Sequence, residues 1–137
     1  MANYMSTTRT NYFKVTDEAK YEELFSMLCS EDNIRDFTEK REDGIYHGFG
    51  AYGDISCYNE ELDEFTDEFY DGLKDILPDG EAFIMISSGY EKLRYVSGFA
   101  TIITNDGIEI ISLVEAAKKK AGEMLGLDGP FQTRIEY

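Results

Sequence analysis

A chain of 137 residues with 42% hydrophobic and 14% aromatic residues has the size and apolar content of one packed domain, which excludes global disorder. Its 28 acids against 13 bases leave a formal charge of −15, which argues against direct contact with nucleic-acid phosphates or anionic membranes and favours basic partners. Two cysteines, Cys29 and Cys57, and one histidine exclude a disulfide framework and a four-ligand zinc site, so both thiols are expected reduced and buried.

Residues 1–7 are small and polar and are expected to be loose; the start MANYMSTTRT has no apolar signal region, and no run reaches the length of a membrane span, so a cytoplasmic location is expected. Thr10–Val15 reads as a first strand. Thr16 is the expected N-cap of a helix whose buried face is Tyr21, Leu24, Phe25 and Leu28, with Asp17 and Glu18 where the helix dipole favours acids. Residues 34–58 read as a hairpin, IRDFTEKRE and IYHGFGAYG, turning at Asp43-Gly44, with Gly48, Gly50 and Gly53 marking bulges or close backbone approach.

The segment NEELDEFTDEFYDGLKDIL, 59–77, carries the densest charge. Leu62, Phe65, Phe69, Leu73 and Ile76 follow helical steps of three and four, so an amphipathic helix capped by Asn59 is expected. Its outward face would carry Glu60, Glu61, Asp63, Glu64, Asp67, Glu68, Asp71 and Asp75. Nineteen helical residues span roughly 28 Å, close to one carboxylate per ~3.5 Å, against one phosphate per ~3.4 Å of a DNA strand. Like charges four residues apart would cost a few tenths of a kcal/mol each, which burial of the apolar stripe would offset.

Pro78-Asp79-Gly80 ends that helix. Ala82–Ser87 is a central strand, Leu93–Thr104 a second, and Asn105-Asp106-Gly107 a hairpin turn into a third, Ile108–Ser112. Val114–Leu125 is a helix facing inward with Val114, Ala117, Ala121 and Leu125 and closed by Gly126, and Phe131–Tyr137 alternates as an edge strand. The order β-α-β-β-α-β-β-β-α-β defines one α+β domain over 1–137: a single, mainly antiparallel sheet with about three packed helices.

Three stretches, STTRTNYFKVTDEAKYEELF (6–25), GIYHGFGAYG (44–53) and ILPDGEAFIMISSGYEKLRYVSGFATIIT (76–104), together resemble a group of small acidic proteins of conjugative elements and phages of gram-positive gut bacteria. The resemblance spans most of the chain. It implies a mobile-element context, where small acidic proteins include inhibitors of host defence and DNA mimics, and it assigns no site residue.

Other constellations are weaker. His47 has no nucleophile or orienting carboxylate beside it in sequence, and an open pocket there with a convergent carboxylate would mark an enzyme or small-ligand domain. Gly48, Gly50 and Gly53 spell G-x-G-x-x-G without the strand-to-helix context of a phosphate loop. Tyr46, Phe49, Tyr52 and Tyr58 fit a sheet face under a helix better than an exposed surface. Lys118-Lys119-Lys120 suits a solvated helix end, and the acidic clusters have no EF-hand spacing. No cofactor or metal is implied. The acidic face is explained most simply by solvation. The functional expectation is a non-enzymatic acidic module that binds a basic protein surface through those eight carboxylates, extended by acids such as Glu31, Asp32, Asp36, Glu39, Glu42, Asp43, Asp79 and Glu81. The surface expected is the nucleic-acid-binding site of a host defence enzyme. An immunity- or antitoxin-like binder of one toxin is the alternative.

Overall fold

The computed structural model describes residues 4–135. Its elements are β1 (Met5–Thr10), α1 (Glu18–Phe25), β2 (Leu28–Ser30), β3 (Arg35–Asp36), β4 (Glu39–Arg41), β5 (Gly44–Tyr46), β6 (Phe49–Tyr52), β7 (Ile55–Asn59), β8 (Glu64–Phe65), α2 (Glu68–Ile76), β9 (Phe83–Glu91), β10 (Tyr95–Thr104), β11 (Gly107–Ser112) and α3 (Leu113–Met124). The fold is α+β. An antiparallel six-stranded sheet runs β11-β10-β9-β1-β6-β3, beside a three-stranded sheet β2-β7-β8 and the hairpin β4-β5.

Side chains alternate across a strand, so the register assigns each residue a face. Thr8 lies opposite Ala51 and Ser87, Thr10 opposite Met85, and Phe83 opposite Ile103. This face meets α1 and α2 in one core of Phe13, Tyr21, Leu24, Phe49, Phe69, Leu73, Phe83 and Ile103 with smaller neighbours. Phe49 sits at its centre, 5.4 Å from the Phe25 ring, 5.8 Å from Phe69 and 6.1 Å from Phe83. The other face carries Arg9, Gly50, Arg35 and Ile86 in one row.

The first strand differs from expectation: it is Met5–Thr10, and residues 5–7, expected loose, belong to it. The reason is that its inward positions are threonines, which the core tolerates because each hydroxyl is bonded. Thr8 donates to the Gly53 carbonyl at 3.0 Å, and Thr10 accepts from the Phe49 amide at 3.0 Å. Phe13, expected within that strand, instead forms an isolated bridge with His47. Asp17, not Thr16, caps α1 by accepting from the Lys20 amide, while the Thr16 amide and hydroxyl both donate to the last carbonyl of α2, Ile76.

The hairpin turns at Glu42-Asp43, since Arg41 pairs with Gly44, and its strands break so that β3 can join β6. Asn105 makes the expected β10–β11 turn and also caps α2, its amide donating to the carbonyls of Lys74 and Leu77. The expected edge strand is absent over 131–135; residues 136 and 137 lie outside the described residues. The chain instead folds back along α3, with the Leu127 amide on the Gly122 carbonyl and Phe131 on Lys118. A Cβ at Gly122 would sit 2.1 Å from the Gly129 oxygen, so only glycine admits this return. Ala117 and Leu125, expected on the inward face of α3, are exposed. Of the thiols, Cys57 is buried but Cys29, expected buried, is exposed.

Candidate functional site

The acidic segment is not one helix. Helix α2 covers only Glu68–Ile76, and Asn59 caps a tight turn instead of the expected helix: its side-chain oxygen accepts from the Leu62 amide at 3.1 Å. Asp63 then takes φ +52°, which ends helical continuation, and its carboxylate accepts from the Tyr58 hydroxyl. The chain reverses, so that Glu64 and Phe65 pair with Asn59 and Tyr58. The Asn59 amide also donates to Glu68 at 2.8 Å, and Thr66 Oγ1 accepts from the Glu68 amide, closing the turn onto the start of α2. The missed signal lay in Thr66-Asp67-Glu68, a helix-start pattern in mid-segment.

Burial divides the apolar stripe accordingly. Phe69 and Leu73 are 0% exposed and Ile76 is buried, whereas Leu62 is 60% and Phe65 70% exposed. Glu60, Glu61 and Asp63 lie in the turn, Glu64 in β8, Asp67 just before α2, and Glu68, Asp71 and Asp75 on α2; all eight are exposed. Among the described residues none of the eight is ion-paired to a lysine or arginine. The expected repulsion between residues four apart survives on the helix only for Asp71–Asp75 and, at its edge, Asp67–Asp71. The structure thus joins a hairpin tip, with Leu62 and Phe65 exposed, to the start of a helix, and both carry carboxylates that have no lysine or arginine partner among the described residues.

A cleft of about 840 Å³ opens beside Phe65, between the β7–β8 hairpin and β1, and Tyr4, Tyr52, Glu31, Asp32 and Asp54 line it. Asp32 is held below the usual carboxylate range, first by the Asn33 amide and then by Arg35.

His47 lies apart from this surface and is 5% exposed. Its Nε2 is 2.7 Å from Glu18 Oε1, its Nδ1 is 3.3 Å from Thr38 Oγ1, and its ring lies 4.0 Å from that of Tyr21. A carboxylate therefore does converge on this histidine, but the imidazole itself is packed against Tyr21 and Phe13, and Glu18 reaches it from the surface. The three glycines behave as turn and close-approach residues: Gly53 has φ +105° after β6, and no helix follows. The aromatic set divides, with Phe49 in the core and Tyr52 63% exposed. Lys120 pairs with Glu123 along α3. Among the described residues no group of three or more His, Cys, Asp and Glu is placed to hold a metal, and no helix is long and apolar enough to cross a membrane.

No family model matches the chain, and neither a curated protein nor a solved structure is similar to it.

Proposed function

We propose that this protein is a non-enzymatic acidic interaction module that docks on a basic protein surface through the β7–β8 hairpin tip and the outer side of α2. The observation that carries the reading is the exposure of Leu62 and Phe65 on a turn and strand whose acids, Glu60, Glu61, Asp63 and Glu64, are exposed and have no lysine or arginine partner among the described residues. An aromatic anchor that desolvates on contact, surrounded by charges that steer approach, is how interfaces divide affinity and association rate. The mobile-element resemblance makes a host defence enzyme the expected owner of that surface, its nucleic-acid-binding site offering the required positive charge. The carboxylates do not run along one helix, so the reading rests on charge density and the apolar anchor instead of a match to phosphate spacing.

Affinity purification from a gram-positive bacterial lysate at low and high salt tests it. The wild-type protein should retain a basic protein at low salt and lose most of it at high salt. Phe65→Ala, and separately the combined Glu60→Gln, Glu61→Gln, Glu64→Gln change, should each reduce recovery of that same protein. Equal recovery at both ionic strengths, or by all variants, overturns the reading.

A further inference from the structure

The sheets differ in how far their edges are closed to a further strand. An edge strand presents backbone N–H and C=O groups that its own sheet does not pair, and monomeric proteins keep such strands short, charged, bulged or covered. β3, one edge of the main sheet, has two residues, Arg35 and Asp36, and both are charged. The edge strands of the smaller sheets, β2, β4, β5 and β8, have two or three residues each. β11 is the exception. It forms the other edge of the main sheet with six residues, Gly107–Ser112, and contains no proline, lysine or arginine. Its register against β10 is unbroken, so no bulge turns it away. Among the described residues no backbone hydrogen bond reaches it from any element but β10. Leu113, which opens α3, lies over Gly98 of β10, where an added Cβ would meet it at 3.3 Å, so the helix starts above the sheet and not along its edge.

Apolar side chains flank this edge on both faces. Ile110 lies opposite Thr101, on the face that carries Ile103 and the core, yet it is 69% exposed. Phe99, on the same face and opposite Ser112, is exposed as well. On the open face Ile111, opposite Ala100, is exposed, and Leu113 is 65% exposed. A stable dimer buries roughly 800 Å² per partner, less than a tenth of the 9358 Å² of this chain. Pairing of one short strand is a smaller contact than that, and these four side chains supply apolar area on either side of the backbone ladder.

We propose that β11 pairs antiparallel with β11 of a second copy of this chain, joining the two main sheets edge to edge about a two-fold axis. An axis normal to the sheet keeps each face on its own side, so opposed residues must share a face and the register must centre on a residue. Centring on Glu109 or on Ile110 gives the longest overlap of Gly107–Ser112 with itself. The first sets two carboxylates against each other, which is unfavourable. The second sets Ile110 against its own mate, Glu109 against Ile111 and Ile108 against Ser112. The strand is thus its own complement. It brings one carboxylate per copy, Glu109, and Lys118, Lys119 and Lys120 follow on α3, so the contact adds little to the repulsion between two chains of charge −15. It uses none of the residues of the acidic surface proposed above, and neither reading depends on the other.

Sedimentation equilibrium of the full chain, with hydrogen exchange of its amides, tests this. The wild-type protein should approach twice its mass of 15.7 kDa as concentration rises to about 100 μM. Ile110→Lys changes an exposed side chain, so circular dichroism should show it folded. It should weaken the dimer by about tenfold or more, because two ammonium groups would face each other across the axis. Ile86→Lys on the open face and Phe65→Ala on the acidic surface should leave the dimer unchanged. The outward amides of β11 should exchange slowly in the wild-type dimer and fast in Ile110→Lys, while those bonded to β10 stay slow in both. Added salt should strengthen the dimer, since it screens repulsion between two chains of like charge. A wild-type chain that stays monomeric over this range, or a dimer that Ile110→Lys leaves intact, overturns the proposal. So does a dimer lost in Ile86→Lys, which marks stacking of open faces, or one dissociated by salt, which marks the lysines of α3 on the acidic surface.

Discussion

Glu18, in the first turn of α1, places Oε1 2.7 Å from Nε2 of His47, and the Thr38 hydroxyl on the other side of that ring donates to Asp36 at 2.5 Å. Residues far apart in sequence are thereby tied across one imidazole: the start of α1, the segment before β4 and the end of the β4–β5 hairpin. Only the histidine is buried. Glu18→Ala should lower unfolding free energy by about 1–2 kcal/mol, because a buried ring nitrogen loses its partner. Glu18→Gln, which retains a hydrogen-bonding oxygen, should recover much of that. Urea denaturation of the three proteins measures the difference.

Phe49 and Phe65 should respond in opposite ways to truncation. Phe49 is 0% exposed and meets four other aromatic rings, so Phe49→Ala should cost about 3–5 kcal/mol. Phe65 is 70% exposed and its ring meets that of Tyr58 edge-on at 5.3 Å, so Phe65→Ala should cost under about 1 kcal/mol. Denaturant midpoints compare them directly, and a large loss at Phe65 would show that the residue is structural.

Gly50→Ala should destabilise by about 1–3 kcal/mol, since the added methyl group meets the Thr8 backbone carbonyl, which cannot rotate away. The same methyl group would press on the Phe37 ring, 3.2 Å away. Thermal melting reads the combined effect.

Two tyrosines should resist alkaline ionisation. Burial, then the nearby Cys57 and Asp67, push Tyr70 up to about 12 from an ordinary 10.0. Burial, then Asp36 and Glu18, raise Tyr21 further. Each folded value exceeds the unfolded one, so the neutral hydroxyls contribute stability in full below pH 10, and for Tyr70 that contribution is lost as pH climbs through about 12. Absorbance titration should therefore show late ionisation of Tyr70, and ionisation of Tyr21 accompanying unfolding. Ionisation of Tyr70 near pH 10 in the folded protein would contradict this packing.

Local patterning carried much of the architecture. The apolar run 83–86, the β-branched stretch 95–104 and the Asn105-Asp106-Gly107 turn announce the central hairpins, and Phe69, Leu73 and Ile76 announce α2. Patterning failed at β1, where threonines occupy core positions that only a bonded partner makes tolerable. It failed again over 59–66, where Leu62 and Phe65 keep helical spacing on a chain that reverses. Periodicity reports which residues could share a face; it does not report whether a competing side-chain bond, such as Asn59 to Leu62, interrupts the helix that would create that face.

The amino-acid sequence by itself determined an acidic α+β chain, its three helices and most of its long strands, because those depend on neighbours within a few residues. Tertiary structure alone decided that Phe65 faces water, that buried His47 meets the exposed Glu18 carboxylate, and that Arg9 and Arg35 flank Gly50. Those outcomes depend on strand register and chain reversal, in which residues 26 positions apart become neighbours through β6, and no local pattern encodes such a distance.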